Sequence, residues 1–340
     1  MGVGIPGMHL LSSLGRDLRQ ALRGLQREKG FAATALLTLA LCITANVVIF
    51  TVVRSVVLRP LPFPEPDRLV VVYNSYPKAG VDRAGCSWPN YYERKDDAMP
   101  AFAAGAAARP GSVITGDATG PSRVPVLEAT PGFLDVLGLR PAMGRFFQDG
   151  EEIYGKDAHV VLTHEYWKSR YNADPDILSK TIQVNELPRE IIGVLPPGFR
   201  YLSTRADFLI PLARGEQDAT LQNRHSNGMD YIARLQPGVS IQVAQSQLDA
   251  LNARMAAQDP FATVVADAGF RTHIADLHAE HVSGIRLVLF LLQAGVLLLL
   301  FIGVVNLANL LLIRATARAR ELALRQVLGA GRLHVSIQVL

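Results

Sequence analysis

Gly150, Gly155 and Lys156 stand at the spacing of a phosphate-binding loop, in which backbone amides and a lysine cradle the phosphates of a nucleotide. That chemistry also needs a Ser or Thr after the lysine to ligate magnesium, and a strand-to-helix junction that converges the amides. Here Asp157 takes the place of the hydroxyl, and Glu151 and Glu152 put negative charge where phosphate would lie. The stretch is therefore not read as a nucleotide site. The eight histidines form no His-Glu-x-x-His or Cys/His zinc pattern. His278, Glu280 and His281 are close enough for a metal site on a helix, but a solvated turn is the stronger reading. There is no Gly-x-Ser-x-Gly elbow and no declared carboxylate pair, so no catalytic residue, metal or cofactor is assigned and an enzyme is not indicated.

The polar groups that do carry information lie inside apolar stretches. Phe31 to Val53 and Leu287 to Ile313 contain no Asp, Glu, Lys or Arg. At about 1.5 Å per residue both exceed the roughly 30 Å hydrocarbon core of a bilayer. The first holds Thr44, Asn46 and Thr51, and the second Gln293, Asn306 and Asn309. A primary amide facing lipid is unfavourable, so these groups should face other helices, where Gly303, Gly295 and neighbouring alanines allow close approach. Asn46, Asn306, Asn309 and Gly303 are the expected packing positions, in a bundle with more helices than these two. A signal peptide fits the first stretch poorly, because a secretory apolar core runs only about 7–15 residues before a small-residue cleavage site.

Charge orients the spans. Residues 1–30 carry five Lys and Arg against Asp17 and Glu28, and residues 314–340 carry five Arg against Glu321. Both ends are accordingly read as cytoplasmic. The 233 residues between, 54–286, hold 24 of the 34 basic and 27 of the 30 acidic side chains, a net of −3 within an overall +4. The basic balance thus belongs to the membrane-proximal ends, and nucleic acid is excluded as a partner. Cys42 falls inside the first span and Cys86 in the external region, so no intramolecular disulfide is expected. Cys86 is read as inert packing.

Local patterns fill in the elements. Leu14, Leu18, Ala21, Leu22 and Leu25 recur at helical spacing among arginines, predicting an amphipathic helix within 1–30 that lies in the headgroup plane. Prolines at 60, 62, 64 and 66 stop the first helix and predict a stiff, extended collar. Within 54–286, strands are expected at 68–73, 124–128, 159–163, 181–184, 189–195 and 230–235. Helices are expected at 89–97, 131–137, 165–171 and 240–258, the last with Ser240 as N-cap. The fold class is a membrane protein with two transmembrane α-helices flanking an α+β extracytoplasmic domain, with room for two lobes. A further short helix is expected from Arg318 to Gly329, followed by the start of a third membrane segment.

These residues resemble the MacB/FtsX-type ABC transporter permeases, and most closely the duplicated permeases of acidobacterial type. The likeness rests on Asp17-Leu-Arg-Gln-Ala-Leu-Arg, on Arg59-Pro-Leu-Pro-Phe-Pro-Glu-Pro-Asp-Arg-Leu69 and on Phe133-Leu-Asp-Val-Leu-Gly-Leu-Arg-Pro141. It continues through Gly193-Val-Leu-Pro-Pro-Gly-Phe199, Leu235-Gln-Pro-Gly-Val-Ser240, Asn306-Leu-Ala-Asn-Leu-Leu311 and Arg320-Glu-Leu-Ala-Leu-Arg-Gln-Val-Leu-Gly-Ala-Gly-Arg332. The resemblance implies a MacB-like periplasmic core domain between the spans and residence in a bacterial inner membrane. It implies a permease that couples ATP hydrolysis by a partner ABC ATP-binding subunit to movement of the outer domain, for efflux or mechanotransmission. Arg320, Glu321, Arg325, Leu328, Gly329 and Ala330 would be the segment that docks on that ATPase. Glu321 and Arg325 are an i, i+4 pair beside apolar Leu324, Val327 and Leu328, which also suits insertion into a groove of another protein. A second copy of the chain or further permease segments, and a membrane fusion protein or outer-membrane channel, are the other partners implied. Members of the family continue through at least two more membrane helices, so the resemblance implies a truncated member or a fragment. A membrane-anchored scaffold or sensor that binds envelope proteins without transport is the alternative.

Overall fold

A computed structural model describes residues 29–95, 98–117 and 120–327. The amphipathic helix expected before residue 29, the third membrane segment, and Leu328, Gly329 and Ala330 lie outside the described residues. The chain divides into two compact units, Pro60–Gly284 and the pair of ends on either side of it.

Within Pro60–Gly284 eleven strands join one sheet: β1 Leu69–Tyr76, β2 Val81–Ala84, β3 Phe102–Asp117, β4 Gly120–Ala129, β5 Met143–Gly144, β6 His159–Leu162, β7 Thr181–Val184, β8 Leu187–Val194, β9 Phe208–Pro211, β10 Asp230–Leu235 and β11 Arg271–Asp276. Their order is β11-β1-β10-β3-β4-β9-β6-β8-β5, with β2 on β1 and β7 bridging β3 and β8. Pairing is antiparallel except for β4 with β9 and β6 with β8. The domain is thus one unit around a continuous sheet rather than two lobes.

Both faces of the central strands are covered. Successive side chains of a strand point to opposite faces, so Leu69 and Val71 of β1 enter one core while Val70 and Val72 enter another. That is why β1 reads as an unbroken apolar run instead of an alternation. The first core is closed by the short helix Phe133–Leu137, four of whose five residues are buried. The second is closed by Trp88–Glu93 and by Ile241–Ala256, which buries Ala244, Leu248 and Leu251. Ser240 caps that helix by accepting from the Val243 amide, as its position predicts.

Strand β3 escapes the sequence pattern because it opens on alanines and a glycine, residues of low strand propensity. Its small side chains answer to packing: a Cβ at Gly105 would lie 2.1 Å from the Tyr231 hydroxyl, and Ala106, Ala107 and Ala108 are fully buried. The strands β9 and β11 were likewise not expected, being a four-residue run ending in proline and a run with charged ends.

The proline segment is not the straight collar expected. The first helix, Lys29–Val53, ends through a wide π-type turn at Arg54–Leu58. The segment that follows bends, with Phe63 buried, Glu65 in the left-handed region at φ 47°, and a tight turn at Pro66–Arg68. Proline withdraws backbone donors but leaves carbonyls that can accept. Arg234, 6% exposed, uses them: it donates to Pro64 O at 2.9 Å, to Glu65 O at 3.4 Å and to Val136 O at 2.7 Å. One guanidinium thereby fastens the start of the domain to β10 and to the helix that closes the first core.

The other unit contains Lys29–Val53 and most of the last helix, Leu277–Val327. Both are long and apolar enough to cross a membrane, over Ala33–Leu58 and Leu277–Arg314. A separate helix from Arg318 to Gly329 is not formed. The last helix runs without a break to Val327, because residues 314–327 contain neither glycine nor proline and are rich in alanine, leucine and arginine. The change from apolar to basic residues marks a change of solvent and not a helix end.

Arg234→Met, which keeps the aliphatic stem, should strand three carbonyls and destabilise the outer domain by roughly 2–4 kcal/mol. Thermal unfolding of the detergent-solubilised chain checks this; an unchanged midpoint contradicts the anchoring role.

Candidate functional site

Among the described residues the two apolar helices meet through polar contacts centred on Asn46 and Cys42. Asn46 donates to Val296 O of the opposite helix at 2.8 Å and to Cys42 O at 3.1 Å, and its own oxygen accepts from Gln293 at 3.4 Å. One turn away, the Cys42 thiol lies 3.9 Å from Leu299 O, and a Cβ at Gly303 would come within 3.1 Å of that sulfur. Small residues and two side-chain amides therefore join the helices, with such a polar contact worth about 0.6–2 kcal/mol in lipid. Three threonines of the first helix look after themselves: Thr34, Thr38 and Thr51 each donate to the carbonyl four residues back.

Asn306 and Asn309 are placed differently from Asn46 and Gly303. Both are exposed, and with Thr34, Thr38 and Gly303 they line a cleft of about 570 Å³. In hydrocarbon these amides need partners that the two helices do not supply.

Of the six residues of the docking segment, Arg320, Glu321 and Arg325 fall in the final turns of the helix ending at Val327, with Arg320 exposed. Leu328, Gly329 and Ala330 are beyond the described residues.

The nucleotide-like stretch is filled by its own carboxylates. Gly150 N donates to Glu152 at 2.7 Å and Gly155 N to Asp157 at 3.0 Å. Glu151 is clamped by Arg145 at 2.7 and 3.1 Å, and Asp157 accepts from Arg189 at 3.0 Å. The amides that would cradle phosphate are spent. Glu280 accepts from Arg83 at 2.5 Å, and among the described residues no group of three or more His, Cys, Asp or Glu could hold a metal ion. Cys42 and Cys86 are both buried and free, and burial pushes the Cys86 thiol up to about 12. At that value it is not a nucleophile.

What spacing alone did not reveal is a polar network in the outer domain, assembled from residues up to 198 positions apart. Asn74, fully buried on β1, donates to Asn90 and Asn227, each at 2.8 Å, and accepts from Arg94 at 3.1 Å and Thr272 at 3.0 Å. Asn227 donates to the Tyr76 hydroxyl at 2.9 Å, which meets His225 Nδ1 at 2.8 Å. His225 Nε2 meets Asp259 at 2.7 Å, and Arg224 spans Asp259 at 2.8 Å and Glu93 at 2.8 and 3.1 Å. The network ties β1, the helix at Trp88–Glu93 and the loop before β10 to the turn after Ile241–Ala256.

Burial opposes the charge of Asp259, but hydrogen bonds from His225, the Phe261 amide and Arg224 outweigh it and hold the carboxyl below its usual range. A depressed carboxylate stabilises the fold above its unfolded pKa of about 4 and loses that contribution as pH falls through the folded value. Asp259→Asn should therefore cost roughly 3–5 kcal/mol at neutral pH, since it leaves Arg224 short of a buried partner. The gap from the parent should narrow as pH drops below about 4, where the parent loses the same charge. Denaturant unfolding across pH measures both effects; a gap independent of pH contradicts the charge-based account.

A family model for the MacB-like periplasmic core domain matches residues 32–251. The macrolide export ATP-binding/permease protein MacB of Neisseria meningitidis serogroup A is 26% identical over 212 residues, 61% of this chain and 31% of that protein. The chain therefore spans about a third of the length of the curated relatives it matches. Among solved structures, a domain of a protein described as a permease from Porphyromonas gingivalis is 19% identical, covering 63% of this chain and 93% of that one, with a TM-score of 0.48. The periplasmic region of MacB from Actinobacillus actinomycetemcomitans is 15% identical over 64% of this chain and 92% of that one, with a TM-score of 0.41. The chain belongs to the family of the MacB-like periplasmic core domain, among permeases of the MacB/FtsX type.

Proposed function

We propose that this chain is a permease subunit that transmits ATP-driven movement of a partner ATPase to an extracytoplasmic domain. The observation that supports it most is the uninterrupted helix Leu277–Val327. Its first residue is buried among outer-domain side chains, its middle is apolar, and its last turns carry Arg320, Glu321 and Arg325. At about 1.5 Å per residue such a helix is roughly 75 Å along its contour, and a continuous helical backbone is an element through which displacement can pass.

In this reading both ends are cytoplasmic and Pro60–Gly284 is periplasmic or extracellular. Arg320, Glu321, Arg325, Leu328, Gly329 and Ala330 dock in a groove of the ATP-binding subunit. Hydrolysis belongs to that subunit; this chain supplies no catalytic group. Nucleotide biases two arrangements of the membrane helices, and the differential docking energy sets how far the balance can move. Asn46 and Gly303 hold the helix pair together, while Asn306 and Asn309 receive further permease helices or a second copy. A membrane fusion protein or outer-membrane channel would engage the outer domain.

Glu321→Arg combined with Leu328→Asp should cut the ATPase activity that copurifies with the affinity-tagged chain by at least about tenfold, the equivalent of losing one interface hot spot. The variant should still partition into the membrane fraction at parental levels. Undiminished copurifying activity contradicts docking through this segment, and a chain that binds an envelope protein with no response to nucleotide would support a scaffold instead.

A further inference from the structure

The outer domain holds a pocket of about 160 Å³, lined in part by the first residues of the last helix, to which the coupling reading assigns no ligand. Val71, Leu202 and Leu277 form apolar walls, and Arg83 and Glu280 stand at its side. Three further polar groups line it, Tyr201, Asp230 and His281, and among the described residues neither the phenol oxygen nor the Asp230 carboxylate has a hydrogen-bond partner.

Tyr201 is 3% exposed, with its ring held edge-on to Phe133 at 5.1 Å between centroids. Its backbone is fixed by a turn in which the Thr204 amide donates to Tyr201 O at 2.9 Å. A buried tyrosine normally finds a partner for its hydroxyl, so one left open toward a cavity is an unusual expense of folding. Asp230 is the first residue of β10, half-buried and locked in register opposite Ala108. Burial raises its pKa, with Arg83 opposing. Arg83 is already committed: it reaches Glu280 at 2.5 Å and lies over the Tyr73 ring at 5.0 Å. The pair Arg83–Glu280 is neutral in sum, and burial, with His278 and Arg83 nearby, lowers the pKa of His281 and favours its neutral form, which leaves Asp230 as the net negative charge of the pocket.

The complement of this surface is a small cation with several N–H donors on an aliphatic stem. A carboxylate takes the charge, a phenol oxygen accepts a second hydrogen, and the apolar walls take the methylenes. The volume equals roughly five water-sized groups, enough for an ammonium and a few carbons. An anion would face Asp230. A divalent metal would need more oxygen ligands than one carboxylate and one phenol provide.

We propose that this pocket binds a protonated aliphatic amine, with Asp230 as counter-ion and Tyr201 as second acceptor. The amine is either a free small molecule or the lysine side chain of a protein partner. The inference stands apart from the ATPase-docking reading, since no residue of the docking segment takes part.

Calorimetric titration of the full-length chain in detergent with n-butylammonium chloride should give saturable one-site binding, whereas the neutral isostere 1-butanol should give none. Asp230→Asn should weaken the amine by at least about tenfold and Tyr201→Phe by about threefold, as expected for losing a charged and a neutral hydrogen bond. Circular dichroism establishes that both variants fold. Nα-acetyl-lysine-N-methylamide separates the sources: binding as tight as butylammonium supports a partner's lysine, and its rejection while butylammonium binds supports a free amine. Absence of saturable binding to the parent chain, equal binding of butylammonium and 1-butanol, or parental affinity in a folded Asp230→Asn variant overturns the proposal. The butanol comparison needs no variant, so it decides the matter even where a substitution unfolds the chain.

Discussion

An apolar surface that water does not tolerate governs the rest of this molecule. Leu36, Leu37, Leu41 and Val47 on the first long helix, and Leu287, Leu291, Leu298, Phe301, Leu312 and Ile313 on the last, are each more than half exposed. At about 25 cal/mol per Å², leaving such side chains in water costs more than a domain's net stability. Hydrocarbon is the solvent that removes this cost. It also imposes its own demand, that every backbone and amide group find a partner within protein. Thr34, Thr38 and Thr51 meet it by bonding back into their own helix, and Asn46 meets it by bonding across to Val296. Among the described residues the demand is still open at Gln293 Oε1, which is buried without a partner, and at the exposed amides of Asn306 and Asn309.

The outer domain solves a different problem, that of a large sheet with both faces to cover. Helices on each face take alternate residues of β1 and β10 into separate cores. Polar groups appear where apolar packing would leave the boundary of an element undefined. Arg234 fixes the entry of the chain by gathering carbonyls that prolines leave unpaired, and the Asn74 to Asp259 network fixes how β1 meets the loop before β10. Networks of this kind favour one arrangement, because an alternative would strand further buried charge, although Arg94 Nη1 is already without a partner. A domain so defined could be moved as a body, which is what the proposed mechanical coupling would ask of it.

Much of this was legible in the sequence, and the failures have physical causes. The strand Asp230–Leu235 and the capped helix Ile241–Ala256 announce themselves by β-branched density and by a 3.6 period with Ser240 before it. The family was legible from motif order, and the family match over residues 32–251 agrees with it. Strand β3 was hidden because its alanines and glycine are chosen for Tyr231, a neighbour 126 positions from Gly105, and not for strand propensity. The bend at Glu65 was hidden because Arg234 sets it from a distant strand. Continuity of the last helix was misjudged by taking a change of composition for a change of structure. Of the residues named for packing, Asn46 and Gly303 lie at the helix contact and Asn306 and Asn309 line the open cleft. The polar network and the Tyr201–Asp230 pocket could not be read, since their members are scattered in sequence and only the sheet brings them together.

The central claim is the threading of the chain, with the two apolar helices in lipid and Pro60–Gly284 on the far side from the basic ends. Single cysteines at Tyr154, exposed on the outer domain, and at Thr316, exposed past the second apolar stretch, test it against a background of two buried native thiols. Treated with a membrane-impermeant maleimide, intact spheroplasts should label Tyr154→Cys at once and Thr316→Cys only after lysis. Labelling of Thr316→Cys in intact cells, with Tyr154→Cys protected until lysis, would contradict the account.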